Sequence, residues 1–249
     1  MPPTKEEIFR EIHKKFGFLP PFFEVGACDP VVLGNLWYQT QTAYLENPIP
    51  SAFLERLFAY LSRFCEVPYC LVCHSCFLRP LGMRASDVLA LLEQPPPDRE
   101  EINDLVANTN ALPTGLEHWP ADPETEQILF RLSVLVYLKD EPSAIATLMM
   151  RRLLAGEWFD RLMMFLGYVK TCGIWIDSHP ELSYEADRRF QDHFAPTIQD
   201  EPRLTAFFAT YRERVAQETR SRKIAEPQIA KPQIAEPKIA KRTQSRAKA

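Results

Sequence analysis

Apolar positions recur along this chain three and four residues apart, the spacing of an amphipathic helix, and no run alternates apolar and polar residues as a half-buried strand would. Ile8, Ile12 and Phe16 form the first stripe, behind Thr4 and Glu7 at capping-box spacing. The prolines in Leu19-Pro20-Pro21-Phe22-Phe23 end it. Asp29-Pro30 pairs an N-cap with proline at the first helical position and predicts a helix through Leu33, Leu36, Trp37, Thr40 and Tyr44. Ser51 and Ser86 are expected to cap two further helices, and Pro68 to open one running to about Leu81. Beyond the proline-rich joint Gln94–Asp98, helices are predicted over Arg99–Asn108, Asp122–Leu138, Ser143–Leu154, Glu157–Trp175, Tyr184–His193 and Pro202–Glu218. The fold class is therefore all-α, divided into a first helical unit over 1–95, a second over 96–219 within the same globule, and a tail over 220–249.

The tail changes the picture of charge. It reads IAEPQ-IAKPQ-IAEPK-IAKR, with proline at a period that interrupts any helix, and is expected to be a disordered tether. From Gln217 onward nine Lys/Arg stand against three Glu, a net +6, which leaves −10 on the preceding 216 residues. An acidic body does not suggest specific nucleic-acid binding, whereas the basic tail suits weak contact with an anionic partner. The most apolar stretch, Ile128–Leu138, is too short to cross a bilayer, and the charged start does not read as a signal peptide, so a cytoplasmic protein is expected. Eight glycines build neither GxxxxGK[ST] nor GxGxxG, so no nucleotide cofactor is implied, and no GxSxG supports a Ser-His-Asp hydrolase.

Of the six cysteines, Cys65, Cys70, Cys73 and Cys76 fall within twelve residues. On a helix starting near Pro68, Cys70, Cys73 and His74 share one face. Cys70 falls in the first turn, where unpaired backbone N–H groups favour an anion, so its thiol pKa is expected to be lowered towards neutrality beside the imidazole. The thiolate is the species that attacks peroxides and disulfides. Glu55, on the preceding helix, would orient His74 if the two helices pack antiparallel, a contact that spacing alone leaves open. Cys28 and Cys172 stand apart and suit buried small-hydrophobe roles. A metal reading of Cys70, Cys73, His74 and Cys76 is disfavoured, because all four lie on one short segment with no second ligand pair elsewhere. The string Cys70-Leu-Val-Cys73-His74 also meets the CxxCH pattern for covalent haem, which requires export.

Glu55-x14-Cys70-x3-His74, with Tyr69 before the cysteine, resembles the signature of the alkylhydroperoxidase D / carboxymuconolactone decarboxylase superfamily over about residues 20–90. The resemblance implies an all-helical homo-oligomer without cofactor or metal, acting on a hydroperoxide with a thiol reductant. Cys70 would be the nucleophile, His74 the base, Glu55 its orienting carboxylate, and Tyr69 a lining residue. The first cysteine of the family's pair falls on Val67, so the resolving thiol is displaced. Cys73 is the best candidate for it and Cys65 the next. Lactone decarboxylases in the family lack the cysteine pair, and Cys70 weighs against that activity. The segment Tyr69–Gly82 also resembles a domain that precedes sensor histidine kinases in some bacteria, which makes a non-catalytic redox-sensing module the competing expectation. Glu157 and Cys172 repeat the spacing of Glu55 and Cys70 at an offset of 102 residues, with Trp175 and Ile176 at the positions of Cys73 and His74. This suggests an internal duplication whose second site has lost its chemistry.

Overall fold

The computed structural model describes residues 3–140 and 142–224. Among them there are twelve α-helices and no strand, with one isolated bridge between Leu116 and Leu154. The helices are α1 (Lys5–Phe16), α2 (Pro21–Glu24), α3 (Pro30–Gln39), α4 (Ser51–Leu61), α5 (Tyr69–Phe77) and α6 (Ala85–Glu93), followed by α7 (Arg99–Ala111), α8 (Pro123–Leu138), α9 (Ser143–Leu153), α10 (Gly156–Asp177), α11 (Arg188–Asp200) and α12 (Arg203–Ile224). No helix among the described residues is long and apolar enough to cross a membrane.

Capping chemistry sets several of these starts. Thr4 and Glu7 complete a reciprocal capping box on α1, and Asp29, Asp98 and Asp122 each accept backbone N–H bonds at the starts of α3, α7 and α8. Ser51 and Ser86 do not cap. Pro50 and Arg84 occupy the N-cap positions of α4 and α6 without a side-chain bond, and both serines lie inside their helices. The helix expected over Tyr184–His193 is instead a 3₁₀ turn, Tyr184–Ala186, broken at Asp187, whose carboxylate accepts from the Arg189 N–H to start α11. The last helix continues to Ile224, past the expected boundary at 219, because residues 220–224 are helix-compatible and the first proline of the repeat comes only at Pro227. The tail expected to be disordered otherwise lies outside the described residues.

One core runs through the whole bundle, so the two sequence-defined units share a single set of buried side chains. The helical hairpin α4–α5 lies at its centre, packed against α8, α10 and α11. The α3 helix passes into a π-helical segment, Thr40–Leu45, whose wider turn directs Thr40 and Tyr44 inward. Two buried arginines tie outer helices to the centre. Arg63, after α4, holds Glu218 of α12 at 2.7 Å and the Gln94 carbonyl at 2.8 Å, while Arg131 of α8 pairs with Glu101 of α7. The Asp177 carboxylate at the end of α10 accepts from the N–H groups of Glu66 and Val67 at 2.8 and 3.0 Å, which fixes the turn that feeds α5.

The proposed repeat has different local geometry in its two copies. Glu55 and Cys70 lie on separate helices of a hairpin, whereas Glu157 and Cys172 lie on the uninterrupted α10, and Glu157 is exposed. The same fifteen residues span a folded-back pair in one case and about four turns of rod in the other.

Candidate functional site

Because α5 folds back along α4, Glu55 near the start of one helix meets His74 near the end of the other. The Glu55 Oε2 to His74 Nδ1 distance is 2.7 Å, and the residues are 1% and 3% exposed. The contact that the spacing left open is thus made. Phe58, one turn beyond Glu55, stacks on the imidazole at 3.7 Å between ring centroids and 16° between planes, and Tyr44 meets it edge-on. These rings leave the imidazole little freedom to rotate.

The other ring nitrogen settles the tautomer. Nε2 faces the Arg189 guanidinium at 3.4 Å, and arginine offers only donors. Nε2 therefore presents its lone pair, and the proton sits on Nδ1 and is donated to Glu55. Burial lowers the His74 pKa, Glu55 acts in the opposite sense, and the Arg189 charge reinforces the lowering. The resting imidazole is neutral. Arg189 is held in turn by Asp187, with bonds of 3.0 Å from both Nε and Nη2, and Tyr69 donates its hydroxyl to Asp187 Oδ2 at 2.6 Å. Burial alone would raise the Asp187 pKa; the Arg189 and Tyr69 bonds outweigh it and hold the carboxyl below its ordinary range. A continuous polar chain therefore runs Glu55–His74–Arg189–Asp187–Tyr69 through an otherwise apolar interior.

Cys70 and His74 line one small, partly open cavity of about 30 Å³, walled by aromatic side chains from α2, α4 and the π-helical segment and completed by Tyr168, Cys172 and Arg189. A site needs about 10–15 Å³ on this measure to hold one water, so the cavity is large enough for a molecule the size of water or hydrogen peroxide. Tyr69 lines it as well. Cys73 does not; it is fully buried on the side of α5 where Asp187, Arg189 and Cys76 lie. Cys65 sits in the turn before α5 against α10, its Sγ so close to Gly173 that a Cβ there would come within 3.1 Å of it.

The lowered thiol pKa expected of Cys70 is overturned. Burial pushes Cys70 and Cys73 well above the ordinary thiol value and takes Cys65, Cys76 and Cys172 to about 12. The first turn of α5 does favour an anion, and Arg189 helps, but neither offsets removal from water. Five cysteines are buried free thiols, and Cys28 alone is exposed. No group of three or more His, Cys, Asp or Glu side chains among the described residues is arranged to hold a metal ion.

The comparisons with known proteins name no relative. No family model, curated protein or solved structure matches this chain.

Several residues of the site carried no signal in the helix pattern. Arg189, Tyr168 and Thr40 reach the cavity from segments distant in sequence, and Asp187 holds Arg189 in place. Asp187 was detectable as an N-cap immediately before two arginines, but a helix begun at Tyr184 conceals it. Cys172, which suits a buried hydrophobe by composition, lines the same cavity as Cys70.

Proposed function

We propose that this chain carries out thiol–hydroperoxide chemistry at Cys70, with His74 as proton acceptor and Glu55 as its orienting carboxylate. One observation carries the reading: Cys70 and His74 line a single small cavity, and Glu55 holds the far nitrogen of the imidazole. The neutral, Nδ1-protonated ring has its free lone pair on Nε2, as a base requires. The hairpin that sets Glu55 against the Cys70-x3-His74 helix is the arrangement that the likeness to the alkylhydroperoxidase D superfamily implies, and we extend that likeness to the first helical unit. The volume of the cavity suits a small hydroperoxide such as hydrogen peroxide. A dithiol returns the oxidised thiol to its starting state.

Turnover by purified protein is measured as peroxide loss with excess dithiol, beside Cys70→Ser. The reading expects consumption that the variant abolishes; equal consumption by both proteins would refute it. The small cavity and the raised thiol pKa values favour a second reading, in which the same residues respond to peroxide once per molecule as a sensor. That case shows stoichiometric oxidation of Cys70 without sustained turnover.

A further inference from the structure

Four other buried thiols surround Cys70, and they stand on different sides of it. Cys73 and Cys76 share its helix and lie on the Asp187 side. Cys172 comes from α10, 102 residues away in sequence, and opens into the same cavity as Cys70 and His74. Cys65 packs on the α10 backbone beside Cys172. Tyr168, one turn before Cys172, places its hydroxyl next to the Cys172 sulfur and also bonds to Thr40 Oγ1 at 3.0 Å. The Thr40 hydroxyl already donates to the Leu36 carbonyl at 2.8 Å, so Tyr168 donates to Thr40 and keeps an oxygen lone pair for the Cys172 S–H.

Resting on the peroxide reading above, the geometry points to Cys172 as the resolving thiol for Cys70, acting across the shared cavity from α10, in place of Cys73 on the same helix. The steps balance with a hydroperoxide as oxidant. The Cys70 proton moves to His74 Nε2. The thiolate sulfur attacks the outer peroxide oxygen; an S–O bond forms, the O–O bond breaks, and the departing oxygen takes the proton from the imidazolium and leaves as an alcohol or water. The sulfenic acid then condenses with the Cys172 thiol, forming the S–S bond and releasing its oxygen as water. The sulfur atoms are oxidised by two electrons in all, and the peroxide is reduced by the same two. A dithiol, itself becoming a disulfide, restores both thiols. In a water-poor cavity a sulfenic acid persists until a thiol reaches it, and only Cys172 enters that space with Cys70.

The test is disulfide mapping of the full chain after treatment with hydrogen peroxide, and separately with diamide, which couples neighbouring thiols without peroxide. Free thiols are blocked under denaturing conditions before digestion. Trypsin places Cys65, Cys70, Cys73 and Cys76 on the peptide 64–84, because Pro80 blocks cleavage after Arg79, and Cys172 on 171–188, and cleavage after Glu66 separates Cys65 from Cys70. The expected result is a 70–172 link with both oxidants; in Cys172→Ser, peroxide instead leaves Cys70 as a sulfenic acid that a dimedone-type probe captures. A link confined to residues 64–84, or one joining Cys65 to Cys172 with Cys70 unlinked, overturns the assignment while leaving the peroxide reading standing. A 70–172 link with diamide alone keeps the pair and refutes the peroxide chemistry. No link with either oxidant overturns the pair, and in that case the dimedone-type probe decides the peroxide reading separately. The mapping is made on the unmodified protein, so it does not depend on how well the variant folds.

Discussion

Replacing His74 by glutamine removes a buried imidazole that must be neutral in the folded protein and becomes charged once the chain unfolds. The structure gives the sign. Nε2 faces a guanidinium, so a second ring proton would set donor against donor in a dry interior, and the folded pKa lies below the ordinary value of about 6.5. Below that value the unfolded chain binds a proton that the folded chain refuses. The stability His74 contributes is therefore fully present above about pH 6.5 and is lost as pH falls towards the folded pKa. The limiting slope is about 1.4 kcal/mol per pH unit, and one unit below the unfolded value the loss reaches at most about 1.4 kcal/mol. For a domain of this size that lowers the melting temperature by about 2–4 °C per kcal/mol. The assay is urea unfolding from pH 8 to 5.5 for the unmodified protein and His74→Gln. The window stops above the carboxylate range, and taking the difference between the two proteins removes the other histidines. His74→Gln also loses the stacking on Phe58, which displaces its curve without tilting it. The expected outcome is a flatter pH profile for the variant. Parallel profiles, or an unmodified protein that gains stability over the variant as pH falls, would refute the neutral, Nδ1-protonated imidazole.

Arg189→Met strands the buried Asp187 carboxylate and is expected to cost about 3–5 kcal/mol by urea unfolding, with part recovered when Asp187→Asn is added to the same chain. Glu218→Ala leaves the Arg63 guanidinium, fully buried beside Tyr60, without its carboxylate; a loss of about 3 kcal/mol is expected, together with earlier hydrogen exchange in α12. In folded protein at pH 7.5 an alkylating reagent is expected to modify the exposed Cys28 first and the five buried cysteines only once urea opens the bundle, as read by mass spectrometry of the digested chain. Rapid labelling of Cys70 in the folded state would show that the cavity opens far more readily than its packing allows.

The helices were legible because their signals are local. A proline after an aspartate, or a threonine three residues before a glutamate, needs no tertiary partner, and α1, α3 and α8 start where such pairs stand. Ser51 and Ser86 failed as caps because a preceding residue in extended geometry, Pro50 or Arg84, had already turned the chain into the helix. The Glu55, Cys70 and His74 set was legible for a related reason: the short turn between α4 and α5 leaves few ways to fold the hairpin. The Arg189–Asp187–Tyr69 half of the polar chain depends on α11 crossing α5, which no spacing within either helix encodes. Burial was the quantity that local reasoning could not supply. A first-turn cysteine beside an imidazole reads as an activated thiol until the rings of Phe58, Tyr44 and Tyr168 close over it.

On the proposed peroxide reading, burial and reactivity are reconciled by where the thiol proton goes. Releasing it to bulk water leaves a lone thiolate in an apolar interior, and that is the event burial opposes. Passing it to His74 creates a thiolate and an imidazolium within one cavity and leaves the total charge of the interior unchanged. Glu55 already holds Nδ1 and stabilises the imidazolium, while Arg189, whose charge lowers the Cys70 pKa, stabilises the thiolate once it gives up its long contact with Nε2. The 3.4 Å separation of Arg189 from Nε2 is at the weak end of hydrogen bonding, against 2.6–3.0 Å along the rest of the polar chain, so it is the link that costs least to break. On the proposed peroxide reading, reaction therefore requires a small oxidant in the cavity and Arg189 turned to the sulfur.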